Sequence, residues 1–285
     1  MNGVKHIIAI ASGKGGVGKS TTAVNLAVSL AKTLGLQVGL MDADIYGPSI
    51  PRLLNNIPHV DEEGAVHFEK PAVDPDTEKI LPIASPSSYG SLKSMSMGYL
   101  MPDSASQAAV WRGPMVMSAL DTFINKVQWS PLDVLVIDMP PGTGDVQLTV
   151  TQKMALSGSI VVTTPQELAL SDARRGITMF RKVGVPILGV IENMSSFICD
   201  GCGKESFIFG HGGAQKISEE MNVGVLGAIP LMVSVQESAD KGVPVIVEHP
   251  NSPVAAAYNT MAALVWRQLS SQGSPDRDGP SIRMQ

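Results

Sequence analysis

Short, continuous apolar runs recur along the chain and predict strands. Runs of this kind are typical of parallel sheets, in which helices cover both faces of every strand. Glycine, proline or a cluster of polar residues separates each run from the next element, as expected at the ends of buried strands. Six strands are predicted in this way, at residues 7–10, 38–41, 132–138, 158–163, 187–192 and 225–229.

Between these runs, apolar residues recur at helical spacing. The clearest stripe lies in residues 20–34, where Val24, Ala27 and Ala31 share one face and Gly35 ends the helix. Alternating strands and amphipathic helices predict an α/β fold with a doubly wound, mostly parallel sheet, which binds ligands at the carboxyl ends of its strands. Further helices are predicted near residues 115–126, 169–183 and 254–269.

Two segments lack this periodicity. Residues 55–94 are rich in Pro, Asp, Glu and Ser, and they predict an irregular excursion with a hairpin near residues 66–68. Beyond it, the next element expected is the helix at residues 115–126. Residues 270–285 contain mainly polar residues, Gly and Pro and predict a disordered tail, so residues 1–269 are expected to form one domain.

Composition excludes several classes of function. The 285 residues are 44% hydrophobic and 16% charged, which suits one large globular domain. The formal net charge of −5 argues against a nucleic-acid partner, because such proteins usually carry a basic face. No apolar stretch approaches the roughly 20 residues that span a bilayer, so membrane insertion is not expected.

Residues 13–20 fit the phosphate-binding pattern G-x-x-x-x-G-K-S/T. Glycines let the backbone turn its N–H groups inward, and the helix that follows adds its positive dipole end. Lys19 is expected to reach the β- and γ-phosphates of a nucleotide, and the Ser20 hydroxyl to bind Mg²⁺. A chance glycine-rich turn is the alternative, but a predicted strand precedes the loop and a helix follows it. The pattern therefore predicts a nucleoside-triphosphate site.

Acidic residues follow two of the predicted strands. Asp138 ends one of them, where a carboxylate can hold Mg²⁺ through water, and Asp44 follows another, where it can orient the attacking water. Asp42 is a weaker candidate for the same role. Each acid can instead cap a helix or a turn. Gly142, in the loop after Asp138, is expected to offer a free N–H to the γ-phosphate.

The chain has two cysteines, Cys199 and Cys202, in a C-x-x-C pattern. The pair can be a redox dithiol, half of a zinc site or half of an iron–sulfur site. A redox pair usually opens a helix, whereas this one is expected in a loop several residues after a strand. His211 lies nine residues after Cys202, which fits no common zinc finger. A site of four thiolates would require a second chain, which a two-fold axis supplies.

Several motifs resemble one family. Residues 14–20 are similar to the deviant Walker A loop of the MinD, ParA and nitrogenase iron-protein group, P-loop NTPases of the SIMIBI type. Residues 42–49, 111–114, 138–145 and 192–194 are similar to the Mrp/ApbC branch, which comprises iron–sulfur cluster carrier ATPases. That branch includes the mitochondrial nucleotide-binding-protein-like factor for respiratory complex I assembly. The resemblance covers nearly the whole chain.

The resemblance implies a homodimeric, slow ATPase that carries a labile 4Fe–4S cluster on Cys199 and Cys202 and transfers it to apoproteins, including subunits of complex I. In this family the extra lysine, here Lys14, contacts the nucleotide of the other subunit. Lys14, Lys19, Asp44 and Asp138 are then catalytic, with Asn193 and Pro230 beside the adenine. Contacts to ATP are expected from Gly13, Lys14, Gly15, Gly16, Val17, Gly18, Lys19, Ser20, Thr21, Gly142, Asn193 and Pro230.

Some questions stay open at this stage. A positioning ATPase of the MinD or ParA kind would explain the nucleotide site but not the cysteines, and a zinc-stabilised dimeric ATPase would share every ligand except the metal. The excursion at residues 55–94 is longer than the family leads one to expect. The chain has no N-terminal cysteine cluster, which points to the bacterial or organellar type. The mitochondrial matrix is the expected compartment, with the bacterial cytosol as the alternative.

Overall fold

The computed structural model describes residues 1, 3–54, 59–60, 66–67, 69–100, 113–199 and 201–272. Trp111 and Arg112, which contribute to the family resemblance, lie outside these residues, as does nearly all of the expected tail at 270–285. The predicted hairpin near residues 66–68 is present as a small two-stranded antiparallel sheet.

The strands lie close to the predicted positions, with the exceptions given below. In chain order they are β1 (Val4–Ala11), β2 (Val38–Asp42), β3 (His59–Val60), β4 (Val66–His67), β5 (Ile83–Ala84), β6 (Leu92–Met95), β7 (Leu132–Asp138), β8 (Gly158–Thr163), β9 (Ile187–Ile198), β10 (Glu205–Ser206) and β11 (Val225–Leu231).

Helices connect most of these strands. They are α1 (Lys19–Leu34), α2 (Ile50–Leu53), α3 (Gly113–Asn125), α4 (Asp145–Lys153), α5 (Glu167–Lys182), α6 (Gly213–Met221), α7 (Val233–Lys241), α8 (Val245–Glu248) and α9 (Pro253–Gln272). Gly35 ends α1 in the left-handed conformation, with φ of 68°, as the sequence predicts. No helix of the described chain combines the length and apolar character needed to cross a bilayer.

The large sheet is doubly wound and mostly parallel, which confirms the predicted fold class. Its order is β10-β9-β8-β1-β7-β2-β6-β5, and β11 also pairs with β9. Only β5 and β10 run antiparallel to their neighbours within this sheet of the described residues. Because β1 lies between β7 and β8, the loop after β1 opens at the centre of the sheet's carboxyl edge, where ligands of such sheets bind.

Apolar side chains cover both faces of the sheet. Along β1, Ile8 and Ile10 pack into one core with α1 and α9, whereas Ile7 and Ala9 pack into a second core with α3 and α4. Because both faces of β1 are buried, its side chains do not alternate between apolar and polar, and its sequence is a nearly continuous apolar run.

The prediction for residues 55–94 was wrong at its end. Residues 92–94 belong to β6, which pairs in parallel with β2, and β5 adds an antiparallel edge to it. β6 has the sequence Leu-Lys-Ser-Met, in which Ser94 is fully buried. A short strand with a polar residue on its buried side has no clear hydrophobic periodicity. Its pairing with the neighbouring strand β2 therefore determines its conformation.

The predicted end of β9 was also wrong. The strand continues to Ile198 and is 12 residues long, although the apolar run ends at residue 192. Met194 has a φ of 55°, and the register with β11 shifts beyond Ile229. Despite this irregularity, pairing with β11 and β10 extends the strand through a polar stretch, and the strand leads directly to Cys199.

Candidate nucleotide and cysteine site

The phosphate-binding loop lies between β1 and α1, as predicted. Gly16 and Gly18 have φ of 79° and 81°, a region that favours glycine. A Cβ on Gly13 would lie 2.3 Å from the carbonyl carbon of Asp172, and one on Gly18 would lie 2.1 Å from Nδ2 of Asn193. The loop therefore requires glycine both for its dihedral angles and for its packing. These constraints leave a tight backbone turn that can surround an anion.

Lys19 and Asp138 form a buried ion pair in this site. Lys19 Nζ donates to Asp138 Oδ1 at 2.6 Å and lies 3.1 Å from the Ser20 hydroxyl. The side chains are only 7% and 0% exposed. Asp138 Oδ2 is buried and has no hydrogen-bond partner within the described chain. The Asp138 carboxylate and the Ser20 hydroxyl both contact the Lys19 ammonium, and oxygen groups of this kind are ligands that suit Mg²⁺.

Asp42 has a structural role that the sequence left open. Its Oδ2 accepts hydrogen bonds from the N–H groups of Ser49 and Ile50 and from the Ser96 hydroxyl, so it holds the start of α2. Burial, together with the negative charge of Asp138 on the neighbouring strand, raises the pKa of Asp42 to about 7.

Asp44 lies at the mouth of the same site. Its side chain is half-buried, and Oδ1 accepts a hydrogen bond from the N–H of Gly47 at 3.3 Å. Burial raises the pKa of Asp44, and the positive charge of Lys19 opposes that rise.

The expectation of a free N–H at Gly142 is not met, whereas its contact to the γ-phosphate stays a prediction. Its N–H donates to the Ser12 carbonyl at 3.0 Å and is not free. The cause is the parallel pairing of β1 with β7, which places the loops that follow the two strands side by side. Gly142 does have a φ of 93°, so the position requires glycine for its backbone.

The remaining predicted nucleotide contacts lie around the loop. Asn193 Nδ2 donates to the Val17 carbonyl at 2.8 Å, and Pro230 lies on β11, next to Asn193 on β9. Lys14 is half-buried, with Nζ 3.5 Å from Oε1 of Gln166, the residue before α5. The geometry brings these groups to one edge of the sheet, and their contacts to a nucleotide stay predictions.

The cysteines lie at the turn of a β-hairpin and not in a loop remote from a strand, which corrects the expectation. β9 ends at Ile198, and β10 pairs back on it. Cys199 accepts a hydrogen bond from the Gly203 N–H at 2.8 Å and donates its own N–H to Lys204 at 3.1 Å. Cys202 is exposed, and neither cysteine forms a disulfide. The hairpin presents both thiols on a short, hydrogen-bonded turn.

His211 does not complete a metal site with the cysteines in one chain. Among the described residues, no group of three or more His, Cys, Asp or Glu side chains is arranged to hold a metal ion. The His211 ring instead packs against Phe207, with ring centroids 5.3 Å apart.

Residues 3–266 match the model of a family described as NUBPL iron-transfer P-loop NTPases of the ParA group. This chain belongs to that family. An Arabidopsis thaliana relative, named an iron–sulfur protein required for NADH dehydrogenase, mitochondrial, is 50% identical over 98% of this chain and 83% of its own length. The iron–sulfur cluster carrier protein of Escherichia coli K12 is 50% identical over 96% of this chain and 69% of its own.

Solved structures agree with the family assignment. A nucleotide-binding protein from Archaeoglobus fulgidus in complex with ADP has a TM-score of 0.68 and 32% identity, over 88% of this chain and 90% of its own. The cell-division ATPase MinD of Pyrococcus furiosus has a TM-score of 0.66 at 22% identity, over 93% and 99% of the two chains, which shows a shared fold. The family is thus one of P-loop NTPases on a MinD-like fold.

Sequence reasoning missed the role of Glu192 in this family member. Glu192 is buried, and its Oε2 accepts a hydrogen bond from the N–H of Ala214 at 2.6 Å, at the start of α6. It thereby ties the segment that follows the cysteine hairpin back to β9. The position of Glu192 at the end of a buried strand could have indicated this role, because a buried carboxylate requires a hydrogen-bond partner.

Proposed function

We propose that this chain is an ATP-dependent carrier that holds a 4Fe–4S cluster between two copies of itself and transfers it to apoproteins. The observation that carries the proposal is the position of Cys199 and Cys202. They lie on the hairpin that continues β9, and the same strand supplies Asn193 to the phosphate-binding loop. The relatives named as iron–sulfur cluster carriers support this function.

The nucleotide would bind at the loop of residues 13–21. Its phosphates would compete with Asp138 for the ammonium of Lys19, because one ammonium cannot stay fully paired with both. Asp138 would then be released to hold Mg²⁺ through water, with the Ser20 hydroxyl as a direct ligand. Bound Mg²⁺ supplies positive charge that neutralises the triphosphate. Asp44 would orient the attacking water.

Three further residues complete the nucleotide site in this proposal. Asn193 and Pro230, on adjacent strands, would lie beside the adenine. Lys14 would contact the phosphates of the second copy, since its half-buried side chain meets only the neutral amide of Gln166 in the described contacts. Hydrolysis would serve as a switch between two arrangements of the dimer and not as a metabolic reaction, so we expect it to be slow.

The cluster would lie on the two-fold axis. Each copy supplies two thiolates, and a 4Fe–4S cluster takes about four. Phe207 and Ile208, just after the hairpin, are 53% and 59% exposed, which is unusual for large apolar side chains and suits a surface that a second copy covers. A dimer so formed changes its cysteine spacing when the nucleotide sites rearrange, which would release the cluster.

The relatives support a proposal for the clients and the compartment. The Arabidopsis relative is named as mitochondrial and as required for NADH dehydrogenase. We therefore propose that clients include subunits of that complex and that this chain acts in the mitochondrial matrix, with a bacterial-type cytosol as the alternative.

Anaerobic reconstitution with iron and sulfide tests the cluster site. We expect about four irons and four sulfides per dimer, lost in Cys199→Ala and in Cys202→Ala. Ser206→Ala, on the other strand of the hairpin, is the matched control and should retain the cluster. Stoichiometric zinc that iron cannot displace, or unchanged iron in the double cysteine variant, would overturn the proposal.

Cluster transfer to a 4Fe–4S-dependent apoprotein such as apo-aconitase tests the role of ATP. Lys19→Ala should load a cluster but deliver it more slowly than the parent chain. Equal delivery by both proteins would refute nucleotide control.

Mixed dimers test the role of Lys14. A Lys14→Ala chain mixed with an Asp44→Ala chain should regain ATPase activity, because one of the two nucleotide sites then has both residues. A mixture no more active than either variant would show that Lys14 acts within its own chain.

A further inference from the structure

The C-terminal helix α9 packs against α1, whose first turn follows the phosphate-binding loop. Tyr258 of α9 is 1% exposed and belongs to the apolar core that α1 and α9 share. Its hydroxyl forms a hydrogen bond with the side chain of Thr22, a fully buried residue in the first turn of α1. A buried polar contact between the two helices therefore lies one turn from the loop, and the proposed reaction uses neither residue.

The two hydroxyl groups form a chain of hydrogen bonds with one direction. Thr22 Oγ1 donates to the Gly18 carbonyl at 2.9 Å, so the single hydrogen of the threonine hydroxyl is already committed. The Tyr258 hydroxyl must then be the donor to Thr22. Burial raises the pKa of Tyr258 to about 12, which keeps the phenol protonated and able to donate at neutral pH. The chain thus runs from Tyr258 through Thr22 to Gly18.

The end of this chain holds the peptide that joins Gly18 to Lys19. The Gly18 carbonyl accepts two hydrogen bonds from Thr22, one from Oγ1 and one from the backbone N–H, each at 2.9 Å. In a trans peptide the carbonyl and the following N–H point in opposite directions, so a fixed Gly18 carbonyl also fixes the Lys19 N–H. That N–H belongs to the first turn of α1, where such groups have no acceptor within the helix and can bind an anion.

The orientation of this peptide depends on hydrogen bonds, because Gly18 itself restrains it weakly. Gly18 has a φ of 81°, and glycine has more freedom of backbone conformation than any other residue. Threonine in a helix divides between two side-chain rotamers, since its Oγ1 can bond a carbonyl of the preceding turn. Donation from Tyr258 favours the rotamer of Thr22 that bonds Gly18, and loss of that donor leaves the alternative rotamer more populated.

We propose that the Tyr258 hydroxyl is a positioning group for phosphate binding, which acts through Thr22 to aim the Lys19 N–H at the phosphates. Tyr258 does not touch the nucleotide. This inference rests on the proposed binding of nucleotide at residues 13–21. It makes α9, which lies at the other end of the chain, a part of the nucleotide site.

Titration of the nucleotide-free full chain with a slowly hydrolysed ATP analogue and Mg²⁺ tests the inference. Tyr258→Phe keeps the ring and removes the hydroxyl, and it should bind the analogue about fivefold more weakly than the parent. Tyr89→Phe is the matched control, since Tyr89 is also buried in the core of α1 and α9 but lies between β5 and β6. It should bind like the parent. Each titration is made well below the unfolding temperature of the variant, where a loss of stability alone leaves the affinity unchanged.

Two variants of Thr22 test whether Tyr258 acts through this residue. Thr22→Ser keeps the hydroxyl and should bind within about twofold of the parent, whereas Thr22→Val replaces it with a methyl group and should bind about tenfold more weakly. Adding Tyr258→Phe to Thr22→Val should weaken binding no further, because the chain is already broken. A double variant whose loss is the product of the two single losses would show that Tyr258 acts by another route and would overturn the inference.

The remaining outcomes are also decisive. Equal affinity of Tyr258→Phe and the parent would overturn the inference, and so would an equal loss in Tyr89→Phe, which would indicate a general softening of the core. If Tyr258→Phe does not fold, the Thr22 pair decides, and equal affinities of Thr22→Ser and Thr22→Val would overturn the inference. No binding by the parent would instead refute the proposed nucleotide site, so the two failures are distinguishable.

Discussion

Replacing Lys19 with methionine would leave the Asp138 carboxylate in a nearly dry site without the ammonium that neutralises it. Methionine keeps much of the apolar stem of lysine, so the variant removes the charge more than the packing. Both partners are buried, and the Nζ–Oδ1 distance is 2.6 Å. Removal of one partner from such a pair typically costs about 3–5 kcal/mol, because the remaining charge stays buried and unpaired.

A second carboxylate places the expected cost toward the upper end of that range. Asp42 lies beside Asp138 across the β2–β7 pairing, and the charge of Lys19 now lowers the pKa of Asp42 against the larger effects of burial and of Asp138. Without Lys19, both acids lose this stabilising charge. We therefore expect the free energy of unfolding of nucleotide-free Lys19→Met to fall by about 4–5 kcal/mol.

Urea unfolding of the nucleotide-free proteins measures this loss. Lys14→Met is the matched control, since it removes a lysine from the same loop whose ammonium contacts a neutral amide, and it should change the free energy by less than about 1 kcal/mol. Asp138→Asn combined with Lys19→Met should lose less than the sum of the single variants, by about 1–3 kcal/mol. A loss below about 1 kcal/mol in Lys19→Met, or additive losses, would refute the buried ion pair.

Three further predictions concern the backbone, a histidine and a helix start. Gly18 has a φ of 81°, and a Cβ there would lie 2.1 Å from a neighbouring amide nitrogen. Gly18→Ala should therefore lower the free energy of unfolding by about 3 kcal/mol and abolish nucleotide binding. Gly35 has a φ of 68°, but a Cβ there would meet no other atom within 4 Å. Gly35→Ala should lower the free energy of unfolding by about 1–2 kcal/mol and keep nucleotide binding, as measured by urea unfolding and nucleotide titration. Burial lowers the pKa of His6, so the unfolded chain takes up the proton first, and the free energy of unfolding should fall as pH drops below 6.5. His6→Phe should reduce that slope, and an unchanged slope would contradict the reasoning. Glu192→Leu should cost about 1–3 kcal/mol by leaving the Ala214 N–H without its acceptor, whereas Glu192→Gln should keep most of the stability; equal losses would show that the hydrogen bond is unimportant.

Local patterns were sufficient for the nucleotide loop and most strands. The G-x-x-x-x-G-K-S/T run predicts a turn of glycines between a strand and a helix, and the pattern lies within eight residues, 13–20. The same holds for β1, β7 and β8, whose continuous apolar runs reflect burial on both faces.

Elements that depend on distant partners could not be predicted. β6 contains a buried serine and is a strand because β2 offers it a parallel edge. β9 continues past its apolar run because β10 and β11 pair with it, and this places Cys199 at a hairpin turn. The parallel partners, β2 for β6 and β11 for β9, lie far along the chain, so no local window contains the cause.

The sequence by itself determined the fold class, the phosphate-binding loop and the identity of the two thiols, because each depends on residues that are close together in the chain. Only the tertiary structure decided which polar groups are paired. Parallel pairing of β1 with β7 places Ile10 opposite Asp138, which brings Ser12 to Gly142 and Lys19 to Asp138. Gln147 Oε1, by contrast, is buried without a hydrogen-bond partner among the described residues. These contacts depend on sheet register and on helix packing. The partner of a buried polar group is a residue that lies close to it in the folded chain, and this residue is usually distant in sequence.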